Sequence, residues 1–422
     1  MHVSTRSWLR FVGASVLAFL ALPASAEDNM VLQWNAIASN SIVVVAAKSP
    51  AAAAPLFAIV QGAVYDATNA IDGRYAPFAV VAHAVPGASA EAAVATAAHD
   101  VLVGRLPSQK ADLDAAYAAS LAAIPDGDAK TDGIALGAEV ASGWLALRAD
   151  DGYEAPVPPY DVPPGPGNWE RTPPGFADPI AMWLPYLMPF TLRSGDQFRP
   201  EAPPSLRSKA WAVDYNEVKL VGAKNSPVRT PAQTEAALFW VENTLGQYNR
   251  AWRELARKQG LSLADSARML AMLDIAAGDA VIVCWDAKYT FNFWRPVTAI
   301  RAGDTDGNKD TIADPTWEPS IVTPAHPEYP SGHSTVSSAV AQVAAAFFGT
   351  DKMSWTIDSL SSRNPDGSPS VHHYARFSDV AREVIGARIW AGIHYRTACL
   401  QGAAGGKKVA HQLLKNSFQK VD

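Results

Sequence analysis

The chain has 422 residues, of which 49% are hydrophobic and 18% are charged, and its 35 basic and 41 acidic side chains give a formal charge of -6. This composition excludes a disordered chain, which would be polar and strongly charged. A net acidic protein is also a poor general binder of nucleic acid or anionic membranes, because both require a basic surface. Two cysteines are too few for a disulfide framework or a four-cysteine zinc site.

Residues 1–26 have the pattern of a secretory signal peptide. Arg6 and Arg10 precede the apolar run FVGASVLAFLALPA, and Ala24-Ser25-Ala26 forms a small-x-small cleavage site. The run is shorter than the roughly 20 residues that span a bilayer, although an uncleaved anchor is the alternative. We expect cleavage before Glu27, which would change the formal charge from -6 to -8, and export to the periplasm or the medium.

Helical patterning dominates the rest of the chain, which predicts an all-α fold. Apolar residues recur every three or four positions in residues 55–71, 90–106, 112–124, 251–260 and 262–290. The apolar stretch 41–64 is interrupted by Lys48, Pro50 and Pro55, which favours two buried helices over a membrane span. The glycines at 402–406 do not fit the phosphate-binding P-loop pattern, and the chain has no βαβ alternation.

A long segment, residues 152–204, is rich in proline and glycine and cannot hold a helix interior. We expect it to cross the surface as an irregular excursion. It carries Trp169, Trp183 and Phe190, so it is either a wall of a pocket or a plain connector between bundles.

The residues with the chemistry of a binding site fall in three short blocks, and Lys288 and Arg295-Pro296 form the first. Seven residues make nearly two helical turns, so the two cations can project from one side of a helix. Pro296 disfavours helix at the residue before it, which places Arg295 near the helix end.

The second block is Pro330-Ser331-Gly332-His333, directly before an apolar helical pattern. Ser331, Gly332 and His333 should therefore lie at a helix N-terminus, where free N–H groups and the positive end of the dipole favour anions. The third block is Arg388-x5-His394, after a helix that should begin near Ser378. Each block alone has an ordinary structural explanation, but the three blocks at these spacings form a pattern too long to be expected by chance.

This three-block pattern resembles the motif shared by the vanadium-dependent haloperoxidases and the type-2 phosphatidic acid phosphatases. The segments QGAVYDATNAI, FRPEAPPSL and CWDAKYTFNFWRPVTAIR also look like parts of bacterial haloperoxidase-like proteins. The resemblance implies one all-helical domain over residues 27–422, with two four-helix-bundle-like halves and the motifs in about residues 205–422.

The resemblance also assigns roles. It implies that vanadate or phosphate is bound by five groups, from Lys288, Arg295, Ser331, Gly332 and Arg388. His394 would bind vanadium or attack phosphorus, and His333 would be the acid-base. Three cations without carboxylates would be costly to bury unless a multiply charged anion compensates them.

Two further positions bear on the reaction by the same resemblance. Trp285 falls where chloroperoxidases carry a halide-side tryptophan, and His326 falls where bromoperoxidases carry histidine. This pair is mixed and does not name the halide. The structural alternatives are a core aromatic residue for Trp285 and a turn residue for His326.

The chain departs from the phosphatase pattern at two positions. Ala387 replaces a serine, and Ala398 replaces the aspartate that usually orients the nucleophilic histidine. Orientation of His394 would then need another acceptor, for which a backbone carbonyl is a candidate.

We therefore expect a vanadate-dependent peroxidase that acts on hydrogen peroxide and a halide. The alternatives are a periplasmic acid phosphatase acting on small phosphoesters through phospho-His394, and an exported oxyanion-binding protein without turnover. Neither a nucleic-acid partner nor a membrane span is expected.

Three minor features complete the sequence. Cys284 and Cys399 could pair or remain two buried thiols. The acidic segment Asp304–Asp310 superficially resembles a calcium loop, but Gly307 is misplaced for an EF-hand, so a solvated loop is favoured over a calcium site. His372 and His373 follow Pro369 and are expected in a loop.

Overall fold

The structure is a computed structural model that describes residues 28–421, so the predicted signal peptide lies outside the described residues. Within that range the chain forms thirteen α-helices and one two-stranded sheet. The first eight helices are α1 (Met30–Ser39), α2 (Pro50–Asp72), α3 (Ala90–Arg105), α4 (Lys110–Ala122), α5 (Asp128–Leu147), α6 (Lys209–Val221), α7 (Pro231–Phe239) and α8 (Thr244–Lys258). The others are α9 (Leu263–Phe291), α10 (Pro296–Arg301), α11 (Gly332–Phe347), α12 (Phe377–Trp390) and α13 (Arg396–Asn416), with strands β1 (Lys352–Arg363) and β2 (Pro369–Arg376).

Helix α9, with 29 residues, is the central element of the fold. It packs against α2, which with α1, α3, α4 and α5 forms the N-terminal group, and also against α11 and α13 of the C-terminal group. Most α2 and α9 side chains are buried, and many are alanines that allow helix axes to approach closely. The predicted helical architecture is confirmed, apart from one small two-stranded sheet.

The apolar stretch that begins at Ser41 forms one separate buried helix, α2, and not the two that were predicted, because its first residues complete α1 and leave Val44 and Val45 exposed. Helix α1 continues into a π-helical turn over Asn40–Val45, and the chain leaves helix before α2 begins at Pro50. Ser49 caps α2 by accepting the Ala52 N–H, and Pro55 is accommodated inside its second turn. No helix among residues 28–421 is long and apolar enough to cross a membrane.

The predicted irregular excursion is also present between α5 and α6, where one 3-10 turn, Leu184–Tyr186, is the only helical element. Trp169 and Trp183 anchor it through buried indole rings. Asp279 on α9 accepts the backbone N–H groups of Phe190 and Thr191, both at 2.8 Å. The excursion is therefore fixed to the central helix rather than loosely attached.

The antiparallel hairpin β1–β2 departs from the purely helical prediction. His372 and His373 lie on β2, paired with Ile357 and Thr356 of β1, and the predicted loop at this place is wrong. Alternating burial along β1 puts apolar side chains such as Trp355 against the helices. Proximity to Pro369 favoured a loop, but strand pairing with this apolar face outweighs it.

Helices α11 and α13 pack closely because α13 carries glycines where they meet. A Cβ on Gly402 would lie 2.6 Å from the carbonyl oxygen of Ser331, and one on Gly406 would lie 2.0 Å from that of Thr335. Both distances are shorter than any real Cβ contact, so only glycine fits. The glycine run therefore serves helix packing.

Candidate functional site

The N-terminus of α11 presents the second block as predicted. Ser331 is the N-cap, and its Oγ accepts the N–H of Ser334 at 3.4 Å. Gly332 and His333 are the first helical residues, whose N–H groups have no acceptor one turn earlier in a helix. A Cβ on Gly332 would lie 3.1 Å from the indole of Trp285, so glycine keeps the backbone open at this position.

Lys288 and Arg295 converge, but not from one helix as predicted. Asn292 adopts a left-handed conformation (φ 47°) and ends α9, and Arg295 is the extended N-cap residue before Pro296 opens α10. The Lys288 Nζ donates to the carbonyl oxygens of Pro327 and Glu328, at 2.7 and 2.8 Å. Both cationic side chains are completely buried.

Arg295 makes the densest contacts of the site. Its Nε donates to the carbonyl of His326 and its Nη1 to that of Ile393, both at 2.8 Å. The same Nη1 lies 3.4 Å from Nε2 of His394. The first and third blocks are therefore in direct contact.

Arg388 lies near the end of α12, and the short turn that follows carries His394 ahead of α13. The Nη1 of Arg388 donates to the carbonyl of Trp240 at 2.8 Å, whereas its Nε is buried without a partner. The Nε2 of His333 is likewise buried without a partner.

A cavity of about 210 Å³ lies among the three blocks. Its polar wall includes Trp285, His326, Gly332, His333, Arg388 and His394, together with Ser49, Glu242 and Thr244. Its apolar wall includes Ile180, Val241, Leu245, Val281, Val322 and Val336. Ile180 belongs to the proline-rich excursion, which thus contributes to a pocket wall. Lys288, Arg295 and Ser331 are completely buried behind the polar wall.

Glu328 is the residue of the site that the sequence interpretation missed. Its side chain is 0% exposed, and its Oε1 lies 2.7 Å from Nδ1 of His394 and accepts the N–H of Tyr395 at 3.1 Å. The expected orientation by a backbone carbonyl is wrong, and so is the assumption of cations without a carboxylate. The available signal was an acidic residue inside an otherwise apolar stretch, two positions before Pro330.

The cations have shifted pKa values because they are buried near one another. Burial, aided by the charge of Arg295, lowers the pKa of Lys288 to about 7. Burial lowers the pKa of Arg295 to about 10, although Glu328 opposes the shift, and lowers that of Arg388 to about 9. Burial also raises the pKa of Glu328 to about 8 against the pull of Lys288 and Arg295. One carboxyl group therefore does not compensate the three cations.

The histidines respond to the same excess of positive charge. Burial, and then the charges of Arg295, Lys288 and Arg388, lower the pKa of His394 well below its ordinary value. Burial and Arg388 do the same to the pKa of His333. An anion in the cavity would offset these charges and raise both pKa values.

The donor set fits a tetrahedral oxyanion. The Nε of Arg388 and the Nε2 of His333 are buried polar atoms without partners on the cavity wall, and leaving such atoms unsatisfied is costly. A helix N-terminus and two guanidinium groups are the features that bind oxyanions elsewhere in proteins. The geometry thus favours a multiply charged, oxygen-rich anion.

Comparisons with known proteins agree with this geometry. Residues 268–422 match the family model for the VCPO second helical-bundle domain. The vanadium chloroperoxidase of Curvularia inaequalis is 30% identical over an alignment that covers 41% of this chain and 34% of that protein. The chain thus spans about a third of the length of this curated relative.

The solved structures extend the likeness to the whole fold. The first bacterial vanadium-dependent iodoperoxidase superposes with a TM-score of 0.78 at 25% identity, covering 94% of this chain and 98% of the other. The C-terminal bundle and the overall fold are thus similar to those of vanadium haloperoxidases. The holo form of a bacterial vanadium-dependent chloroperoxidase has the same fold, with a TM-score of 0.73 at 18% identity and coverages of 93% and 96%.

Trp285 and His326, the two positions that the resemblance places on the halide side, lie side by side. Their ring centroids are 4.9 Å apart, and Lys288 Nζ lies 5.6 Å from the centroid of the indole. His326 also lies 3.0 Å from Nη2 of Arg295 through its Nδ1. Both rings are buried and both line the cavity, so neither is remote from the site.

The minor features also have structural explanations. Cys284 and Cys399 are buried free thiols. Asp306 is not part of a solvated loop as expected, because it is buried and accepts hydrogen bonds from Trp211 and Thr311. Among the described residues no group of three or more histidine, cysteine or acidic side chains could hold a metal ion.

Proposed function

We propose that the protein is a vanadate-dependent haloperoxidase that oxidises a halide with hydrogen peroxide. The observation that carries this proposal is the pair of unsatisfied buried atoms, Arg388 Nε and His333 Nε2, in a cavity with excess positive charge. A bound oxyanion would give both atoms a partner and would compensate the buried cations.

The cofactor would be held by charge-assisted hydrogen bonds and one histidine ligand. The residues that would hold it are Lys288, Arg295, Ser331, Gly332, Arg388 and His394. Vanadate, when bound, supplies a Lewis-acid centre that activates hydrogen peroxide for the two-electron oxidation of a halide. The guanidinium groups and the helix N-terminus would stabilise negative charge on the oxygens. Phosphate could bind to the same residues.

His333 would exchange protons with the reacting oxygen. Its low pKa in the absence of an anion keeps the imidazole neutral, so Nε2 can accept a proton from the incoming peroxide. Once the anion compensates Arg388, the raised pKa of His333 would let it hold that proton and return it to the departing oxygen.

Trp285 and His326 would contact the halide, because they form one side of the cavity beside the proposed cradle. The opposite apolar wall, which includes Leu245, Val281 and Val336, would limit the water near the reacting oxygen. Hydrogen peroxide and a halide ion are small enough for the space that the oxyanion leaves.

A periplasmic acid phosphatase is the second candidate, and Glu328 favours it. A phospho-histidine mechanism needs a carboxylate to orient the nucleophile, and the loss of the aspartate at Ala398 argued against one. Glu328 Oε1, at 2.7 Å from His394 Nδ1, supplies that carboxylate from another element. His333 would then protonate the leaving group.

One experiment separates these functions. Purified protein loaded with orthovanadate is tested for peroxide-dependent bromination and iodide oxidation, and the vanadate-free protein is tested for p-nitrophenyl phosphate hydrolysis. Halogenation that depends on vanadate supports the peroxidase. Phosphate release without halogenation at any vanadate loading overturns the peroxidase in favour of the phosphatase. Tight binding of vanadate without either activity indicates an oxyanion-binding protein without turnover.

Two variants connect the result to the site. His394→Ala should abolish whichever activity is found, because it removes the proposed ligand or nucleophile. His373→Ala, on an exposed face of the hairpin, is the matched control and should retain activity. Full activity of His394→Ala would contradict the site assignment.

We also propose that the protein is exported, on the basis of the pattern in residues 1–26. Expression of the full chain in a bacterial host should yield a periplasmic or secreted product whose N-terminus, read by mass spectrometry, is Glu27. An intact N-terminus in the cytoplasmic fraction would contradict this proposal.

A further inference from the structure

Each ring nitrogen of His394 faces one polar partner, and together the partners determine which nitrogen carries the proton. Nδ1 lies 2.7 Å from Oε1 of Glu328, and Nε2 lies 3.4 Å from Nη1 of Arg295. All three side chains are almost completely buried, so water does not compete for these contacts.

Glu328 Oε1 acts as a hydrogen-bond acceptor. It accepts the backbone N–H of Tyr395 at 3.1 Å, and a backbone amide can only donate. The other oxygen, Oε2, is buried without a partner. For the ionised carboxylate, the contact with His394 therefore requires a donated Nδ1–H, and for the neutral acid the tautomer is decided by Arg295 at the other ring nitrogen.

Arg295 leads independently to the same tautomer. A guanidinium group has only donors, and its Nη1 faces the other ring nitrogen of His394. A proton on Nε2 would place two donors against each other. The Nε2 atom must therefore present its lone pair.

We infer that Glu328 is the positioning residue of His394, which fixes the neutral ring with Nδ1 protonated and the Nε2 lone pair available to an oxyanion in the cavity. This inference rests on the proposed oxyanion site but not on which reaction it runs. Both a vanadium ligand and a phosphorus nucleophile need that lone pair.

The position of Glu328 in the chain shows how this arrangement replaces the missing aspartate. Ala398 stands on α13, and its carbonyl oxygen accepts the N–H of Ser331 at 3.1 Å. Glu328 instead approaches from the segment that leads into α11, five residues before His333. The segment directly before the second block thereby orients the histidine of the third block.

The test compares two oxyanions that use the same cations but differ in their demand on His394. Vanadate can be ligated by Nε2, whereas sulfate has no open coordination position and relies on charge and hydrogen bonds alone. Loss of an outer carboxylate typically lowers the affinity of a histidine-ligated metal centre by about 10- to 100-fold. The ratio of vanadate to sulfate affinity therefore isolates the positioning role.

Two variants of one residue form a matched pair. Glu328→Met removes the acceptor at similar volume, and it should lower vanadate affinity about 10- to 100-fold while sulfate affinity stays within about threefold or rises. Glu328→Gln retains an acceptor oxygen for Nδ1–H and should keep the ratio within about threefold of wild type. An unchanged ratio in the methionine variant, or an equal loss for both anions, would overturn the inference.

Nitrogen-15 NMR of histidine-labelled, anion-free protein gives a second readout, with His394→Gln used to assign the signal. The wild type should show a protonated Nδ1 and an unprotonated Nε2, and Glu328→Met should lose this preference. A wild-type ring protonated at Nε2 would overturn the inference even if the methionine variant does not fold. If the wild type binds neither anion, the proposed function fails, whereas the tautomer still decides the present inference.

Discussion

The oxyanion cavity and the cluster around His372 both place histidine among charged groups, yet their pKa shifts have opposite signs. The ring nitrogens of His372 lie 2.7 and 2.8 Å from carboxylate oxygens of Glu235 on α7 and Glu383 on α12. Burial opposes its charge, but the two carboxylates outweigh burial and raise the pKa of His372. In the cavity, burial and three neighbouring cations lower the pKa of His394.

The difference lies in where the compensating charge comes from. The His372 cluster contains its own anions, and further donors from Ser370, Ser362 and Trp240 complete its hydrogen bonds. The site has one carboxyl group, Glu328, for three cations and leaves polar atoms without partners, because Glu242 on the cavity wall is already paired with Arg250. A cluster that is complete by itself stabilises the fold, whereas an incomplete one is available for a ligand.

We expect the largest effect on anion affinity from removing one cation of the oxyanion cavity. Arg388→Met should weaken sulfate binding about 10- to 100-fold, because hydrogen bonds to charged groups contribute about 1.5–3 kcal/mol each. Isothermal titration calorimetry measures the change. Arg382→Met, on the same helix but exposed, is the control and should bind like wild type. Equal sulfate affinities of Arg388→Met and the wild type would show that the cavity does not bind the anion through this cation.

Sulfate affinity should fall as the pH rises above about 7. Burial lowers the pKa of Lys288 to about 7, and an anion favours the charged ammonium, so binding takes up a proton above that pH. Affinity is then fully present below about pH 7 and declines by up to about tenfold per pH unit above it. Ionisation of Glu328, with a pKa of about 8, acts in the same direction.

Calorimetry with sulfate, whose own charge is constant over this range, measures the slope directly. Lys288→Met should bind more weakly and retain only the decline above about pH 8 that comes from Glu328. A wild-type affinity independent of pH between about 6.5 and 9 would show that the cations are compensated within the protein.

Removing His372 from its cluster with Glu235 and Glu383 should lower the stability of the fold without changing anion binding. His372→Leu leaves Glu235 and Glu383 without their shared donor and should lower the free energy of unfolding by about 1–3 kcal/mol near pH 6. Urea denaturation measures this loss, with His373→Leu on the exposed face of β2 as the control. Sulfate affinity should stay within about threefold of wild type. A large loss of sulfate affinity with little loss of stability in His372→Leu would contradict the structural role of this cluster.

The smallest effect is the pH dependence of that stabilisation. The pKa of His372 is raised, so its contribution is fully present below its ordinary value of 6.5 and is lost as the pH rises through the folded value. The pKa values of Glu235 and Glu383 are lowered, so their contribution is present above 4.5 and is lost in acid.

The stability difference between wild type and His372→Leu should therefore be greatest between about pH 4.5 and about pH 6.5. Urea titrations at several pH values test this, and a difference that grows above pH 7 would contradict it.

The helices and the three blocks could be predicted from the sequence because their signals are local. The spacing of apolar residues predicts α2, α3 and α9. Ser331 predicts the start of α11, because a serine before an apolar helical pattern is a typical N-cap. The resemblance then linked the blocks, whose side chains the structure places around or directly behind one cavity.

The missed features depend on contacts between distant parts of the chain. Glu328 and His394 are 66 residues apart, and no local pattern reports their hydrogen bond. The β1–β2 hairpin depends on packing against helices, so its sequence gives only a weak strand signal. Asp306 looks like a solvated acidic residue until Trp211, 95 residues earlier in the chain, donates to it.

The glycine contacts of α13 have a consequence for engineering this cavity. Gly402 and Gly406 bring α13 against the carbonyl oxygens of Ser331 and Thr335, so these helices have no space in which to slide closer. These contacts set the smallest distance between the start of α11 and α13, the helix that follows the turn with His394. A smaller anion must therefore be accommodated by larger side chains on the cavity wall, because α11 and α13 cannot approach each other further.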